Sequence, residues 1–139
     1  MSKIVRLYTD GGARGNPGPA GSGAILKSFE RGKEGETVAT AATFLGKATN
    51  NQAEYTALII GLQKAKDLGY ESVDVLMDSE LIIKQMKGEY RVKNADLAKL
   101  FLEAWRLRQG FLKVDFRHIP RAKNSEADAL VNQTIDAHV

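Results

Sequence analysis

The hydrophobic periodicity of this chain changes once, near Ala48, and that change limits the folds open to it. Upstream, apolar and polar residues alternate, the period of strands. Downstream, apolar residues recur at helical spacing, interrupted by two short strand-like runs. A run of strands followed by βα-type units predicts a mixed sheet with helices on its faces, an α/β domain.

Lys3–Asp10 alternates along its length and reads as a strand that ends at Asp10. Gly11–Gly23 concentrates nearly half of the 13 glycines and two of the three prolines, which predicts turn and loop. Ala24–Phe29 and Thr37–Leu45 read as two further strands around a charged turn, Glu30–Glu36, completing an antiparallel meander. Thr49-Asn50-Asn51 offers helix-capping side chains. The helix that follows is expected to bury Ala53, Ala57, Ile60, Gly61, Ala65 and Leu68 and to stop at Gly69. Ser72–Met77 is a strand, and Asp78-Ser79 starts a short helix to about Met86. Lys87–Lys93 is a polar link. Asn94 opens a helix to about Gln109, Lys113–His118 is a fifth strand, Pro120–Lys123 is a loop, and Asn124–Ala137 is a closing helix.

At 139 residues the chain is the size of one domain. Met1 and the complete final helix lead us to expect a self-standing domain spanning 1–139, acting as a monomer. Cysteine is absent, so disulfides, thiolate metal sites and cysteine nucleophiles are excluded. No apolar run reaches the length of a membrane span and the N-terminus lacks a signal-peptide pattern, so a cytoplasmic location away from membranes is expected. No P-loop and no nucleophile-elbow pattern occurs. Lys and Arg number 20 against 17 Asp and Glu. If four acids share one site, the remaining surface is distinctly basic, as suits a polyanionic partner.

Asp10, Glu54, Asp78 and Asp128 are the four acids that this reading singles out. Two sit at strand ends and two near helix starts, the positions where open α/β sheets collect ligands. Each also has a plain structural role available: a turn at Asp10-Gly11, helix-dipole compensation by Glu54, an N-cap at Asp78, and a capping box over Ser125–Asp128. Brought together, four carboxylates require a cation, and all-oxygen ligands select Mg²⁺, with Mn²⁺ as substitute. Two such ions would suit phosphodiester hydrolysis. His118 alternates with Val114 and Phe116, which predicts a structural histidine.

Four blocks carry a resemblance: Tyr8-Thr9-Asp10-Gly11-Gly12-Ala13-Arg14-Gly15-Asn16-Pro17-Gly18, Thr49-Asn50-Asn51-Gln52-Ala53-Glu54-Tyr55, Met77-Asp78-Ser79-Glu80-Leu81 and Asn124-Ser125-Glu126-Ala127-Asp128-Ala129-Leu130. In this order and spacing the sequence resembles the type 1 ribonuclease H family. The resemblance implies the ribonuclease H-like fold, a five-stranded mixed β-sheet flanked by about four α-helices. It implies endonucleolytic cleavage of the RNA strand of an RNA–DNA hybrid, leaving 5′-phosphate and 3′-hydroxyl ends. It assigns Asp10, Glu54, Asp78 and Asp128 to metal binding, with Asp10 bridging two ions. Gly11 and Gly12 would allow close approach of the RNA sugar. Asn16, Asn50 and Gln52 would contact the minor groove, Thr49 a DNA phosphate, and Ser79 the RNA backbone.

Two features depart from the family. The link Lys87–Lys93 is too short for the long basic protrusion that many members carry, leaving Lys84, Lys87, Arg91 and Lys93 to grip the DNA strand. The histidine-bearing loop before the last helix is also short, and Arg121 is the candidate to assist the reaction in its place. The alternative readings are a nuclease of the same fold that also accepts double-stranded RNA, and a non-catalytic hybrid-binding module.

Overall fold

The computed structural model describes residues 3–139. Strand β1 (Ile4–Ala13) turns through Arg14–Pro17 into β2 (Gly18–Glu30), which returns along its whole length. β3 (Lys33–Ala48) follows after the two-residue turn Arg31-Gly32. The Gly11–Gly23 segment expected as loop is therefore mostly strand, and the expected turn Glu30–Glu36 shrinks. Asp10 does not end its strand but pairs with Gly23 inside it. Packing supplies the reason for the glycines. A Cβ at Gly21 would come within 3.0 Å of Ile135 Cγ1, and one at Gly23 within 3.1 Å of the Ala127 carbonyl oxygen. Small residues here let a helix lie directly on β2.

Helix α1 (Asn50–Asp67) begins at Thr49, which forms a full capping box with Gln52. Its buried residues include Tyr55, Leu58, Ile59 and Leu62 as well as Ala53, Ala57, Gly61 and Ala65, whereas Leu68 is exposed. The sequence period predicts a single buried stripe. The helix is instead covered twice, by the sheet on one side and by α3 (Ala95–Gln109) on the other, so two of its faces are apolar.

β4 (Ser72–Met77) and β5 (Lys113–His118) complete the sheet in the order β3-β2-β1-β4-β5. β1 runs antiparallel to β2 and parallel to β4, and β5 is parallel to β4. The expected five-stranded mixed sheet with four helices is thus present. The short α2 (Glu80–Met86) is capped by Ser79 rather than Asp78. The Tyr55 hydroxyl donates to Gln85 at 2.6 Å inside the core and ties α1 to α2. α4 (Ser125–Asp136) follows a 3-10 turn at Arg121–Lys123 and packs on the opposite face, against β2 and β1. Val5, Leu7, Leu26, Val73, Val75 and Met77 form the sheet side of the main core. No helix among the described residues is long and apolar enough to cross a membrane.

Candidate active site

β1 and β4 lie side by side only as far as the pair Thr9–Met77. Beyond it β4 ends and the chain turns into α2, while β1 continues with β2. This opens a crevice at the carboxyl ends of parallel strands, the place where such sheets bind ligands. A cleft of about 620 Å³ occupies it, lined by Asp10, Glu54, Asp78 and Asp128 among others.

Each acid comes from a different element. Asp10 sits on β1, Glu54 in the second turn of α1, Asp78 just past β4, and Asp128 in the first turn of α4. Carboxylate oxygens of Asp10, Glu54 and Asp78 all lie within 4.8 Å of one another. Asp128 borders the same cleft, and its other neighbour is Arg121, at 3.5 Å.

Burial and mutual repulsion act on these groups together. Burial pushes the Asp10 carboxyl up to about 7, helped by the charges of Asp78 and Asp128 and opposed by its contact with Glu54. Burial, then Asp10 and Asp78, raises Glu54 well above the ordinary range, against the Gly11 N–H, which favours its charged form. One Glu54 oxygen accepts that N–H at 3.2 Å. The other, Oε2, is buried without a hydrogen-bond partner among the described residues. Crowded carboxylates, one with an orphaned oxygen, are neutralised either by a proton or by a cation held between them. The all-oxygen donor set fits Mg²⁺ or Mn²⁺.

The expected substrate contacts divide into two groups. Gly11 is held close to α1, where a Cβ would collide with the Ala53 and Glu54 backbone, so its missing side chain serves the helix approach. Gly12 faces open space and lines the cleft with Asn50 and Ser79. Asn16, Thr49 and Gln52 instead line a neighbouring groove with the start of α3. The side-chain oxygens of this group are already committed. Asn16 accepts from the Asn50 N–H at 3.0 Å, and Asn50 accepts from the Ala13 N–H at 2.8 Å. Gln52 accepts from the Thr49 N–H at 2.9 Å. An amide whose oxygen is committed in this way still carries an NH₂ group able to donate to a ligand.

Two expectations are corrected here, and Arg121 takes its expected place. His118 is exposed and lines the acidic cleft, so it is not a structural histidine. The capping box over Ser125–Asp128 does not form, because the N-cap of α4 is Asn124 and makes no side-chain cap bond. Arg121 lines the cleft but is 81% exposed at its side chain. Several cleft residues escape sequence reasoning, among them Asn51, Arg14 and Asn132. Asn51 lines both the cleft and the neighbouring groove, and Arg14 lines the cleft and pairs with Asp136 at 2.7 Å. The signal for Asn51 stands beside Asn50, but in sequence it reads only as helix capping.

Fold and site together define an α/β domain with an acidic centre able to hold a cation at the switch point of a mixed sheet. Comparison with known proteins narrows this. Residues 8–134 match the family described as Reverse transcriptase-like. The bifunctional protein Rv2228c of Mycobacterium tuberculosis is 44% identical over 135 residues, covering 97% of this chain and 36% of that protein. Ribonuclease HI of Halobacterium salinarum is 42% identical over 132 residues, covering 95% of this chain and 64% of its own length. The chain thus spans about a third of the mycobacterial relative and just under two thirds of the halobacterial one. Among solved structures, the N-terminal ribonuclease H domain of Rv2228c superposes with a TM-score of 0.91 at 43% identity, covering 98% of this chain and 96% of that one. LC11-RNase H1 in complex with an RNA/DNA hybrid gives 0.87 at 43% identity, covering 96% and 97%. The chain belongs to the type 1 ribonuclease H family.

Proposed function

We propose that this protein is an endonuclease that hydrolyses the RNA strand of RNA–DNA hybrids and leaves 5′-phosphate and 3′-hydroxyl ends. The observation that carries the reading is the convergence of Asp10, Glu54 and Asp78 within 4.8 Å, with Glu54 Oε2 buried and unpartnered among the described residues. Its relatives named ribonuclease H, and the LC11 enzyme solved with a hybrid, support the substrate.

Two divalent ions, when bound, would supply an activated water and neutralise charge on the scissile phosphate. Asp10, Glu54 and Asp78 would hold them on one side and Asp128 would complete the set. In the reaction the water oxygen joins phosphorus, the P–O3′ bond breaks and the 3′ oxygen takes a proton. Gly12 offers an unobstructed surface beside Asp10 for the RNA sugar. The Asn50 amide and the Ser79 hydroxyl line the same cleft, where they can meet 2′-hydroxyls and phosphate oxygens without reading sequence. The helix start at Thr49, with Asn16 and Gln52 beside it, suits a phosphate of the DNA strand. Arg121 would place a fixed positive charge near the scissile phosphate.

Labelled hybrid, double-stranded RNA and double-stranded DNA, each incubated with Mg²⁺, Mn²⁺ or EDTA, test the proposal. Cleavage of the hybrid's RNA strand that EDTA stops is the expected result. Equal cleavage of double-stranded RNA would favour the broader nuclease, and binding without cleavage the non-catalytic module.

A further inference from the structure

Asn124 is 1% exposed, an unusual depth for an asparagine at the start of a helix. It occupies the N-cap of α4, yet its side chain makes no cap bond. The Nδ2 group donates instead to the Thr9 carbonyl at 2.8 Å. Thr9 is the last β1 residue paired with β4 and directly precedes Asp10. At the other end of the same residue, the Asn124 carbonyl accepts the Asp128 N–H at 3.0 Å. Its own N–H donates to the Arg121 carbonyl at 2.9 Å and closes the 3-10 turn. One buried residue therefore links the strand of Asp10 to the helix of Asp128 and fixes the loop of Arg121.

The chemistry requires an amide. A carbonyl oxygen must face a donor, so only the NH₂ end of Asn124 can meet Thr9. Aspartate would set an acceptor and a further charge against that carbonyl, beside four acids. The opposite end, Oδ1, is buried without a partner among the described residues. Asn124 thus forgoes the capping bond its residue type favours and leaves one oxygen unsatisfied, while keeping the tie to Thr9. That pattern favours placement of α4 over the stability of its first turn.

We propose that Asn124 is a positioning residue that sets Asp10 and Asp128 relative to each other and thereby governs cation binding between them. The proposal rests on the nuclease reading above. Its test uses Mg²⁺ titration of the substrate-free protein, by calorimetry and by the backbone amide resonances of Gly11 and Gly12. Single-turnover hybrid cleavage across a Mg²⁺ series and thermal midpoints accompany it. Asn124→Ala is expected to weaken Mg²⁺ binding about tenfold and to slow cleavage, with high Mg²⁺ restoring most of the rate and hybrid affinity unchanged. Asn124→Ser can cap the helix but is too short to reach Thr9, and should show the same metal defect at a near-normal thermal midpoint. Folded variants with wild-type Mg²⁺ affinity and rate would overturn the proposal, as would loss of folding in both, which would assign Asn124 to the fold. If the wild type binds Mg²⁺ but never cleaves hybrid, the nuclease reading fails, while the Mg²⁺ titrations still decide the role of Asn124.

Discussion

Gly11 donates its backbone N–H to Glu54 at 3.2 Å, and the same approach leaves no room for a Cβ at Gly11. The strand bearing Asp10 and the helix bearing Glu54 touch backbone to backbone at the site. Gly12, one residue on, has nothing within 4 Å of where its Cβ would stand, among the described residues. Gly11→Ala is therefore expected to destabilise the protein by about 1–3 kcal/mol, as overpacking does, and to reduce cleavage by moving Glu54. Gly12→Ala should leave the thermal midpoint unchanged and weaken hybrid binding alone. Denaturant melts beside hybrid affinities check the pair. Equal stability loss in both variants would contradict this placement.

The acidic cluster destabilises the metal-free protein in a defined pH window. In the fold Asp10 titrates near 7, against about 3.9 for an unfolded aspartate. Between these values the folded chain binds more protons than the unfolded one, so stability falls as pH rises from about 4 to 7. The raised Glu54 acts in the same direction. Thermal midpoints without metal should drop across that window, and Mg²⁺ should recover them at pH 7 and above. Asp10→Asn should flatten the drop, raise the metal-free midpoint and abolish cleavage. Near-normal Mg²⁺-dependent turnover in Asp10→Asn would remove Asp10 from the reaction.

Much of this architecture is legible in the sequence. Strand β4, strand β5 and helices α1 to α4 can be placed within a few residues, because their periods, caps and terminal glycines agree with one another. The four acids stand out because the sequence reads as placing them at strand ends and helix starts, although Asp10 lies inside β1. The glycine-rich stretch reads as loop although most of it is strand, because close helix–sheet packing and turn formation select the same residue. His118 reads as structural because strand alternation tells which face a side chain takes, not whether another element covers it. Asn124 reads only as a helix start, since its bond to Thr9 joins residues 115 positions apart.

Arg121 and His118 line the same cleft and separate by their chemistry. An arginine keeps its charge at every accessible pH, whereas a histidine exchanges a proton near pH 6.5. Arg121→Ala is expected to lower the single-turnover rate about tenfold, on the scale of removing one charged group from a transition state, with no change in the shape of the pH profile. The exposure of His118 implies that His118→Ala changes stability by no more than about 0.5 kcal/mol. Rates and thermal midpoints from about pH 6 to 9 check both. A pH-dependent rate loss confined to His118→Ala would reverse the assignment.

Helix α2 ends at Met86 and α3 begins at Ala95, with no helix between them. The grip on DNA by a long basic protrusion is therefore missing. Hybrid binding by Asp10→Asn protein should weaken with salt, but with a slope worth only a few phosphate contacts. Affinities across a salt series check it, and a flat dependence would contradict an electrostatic grip.

The most direct test of the account is the cleavage of an RNA–DNA hybrid labelled at both RNA ends, with Mg²⁺ and with EDTA, by wild type and Asp10→Asn. The account predicts internal RNA cuts bearing 5′-phosphate and 3′-hydroxyl ends, formed only by wild type and only with the metal. Cleavage that survives EDTA or the loss of Asp10, or a wild type that leaves the hybrid intact with Mg²⁺ and Mn²⁺ alike, would contradict it.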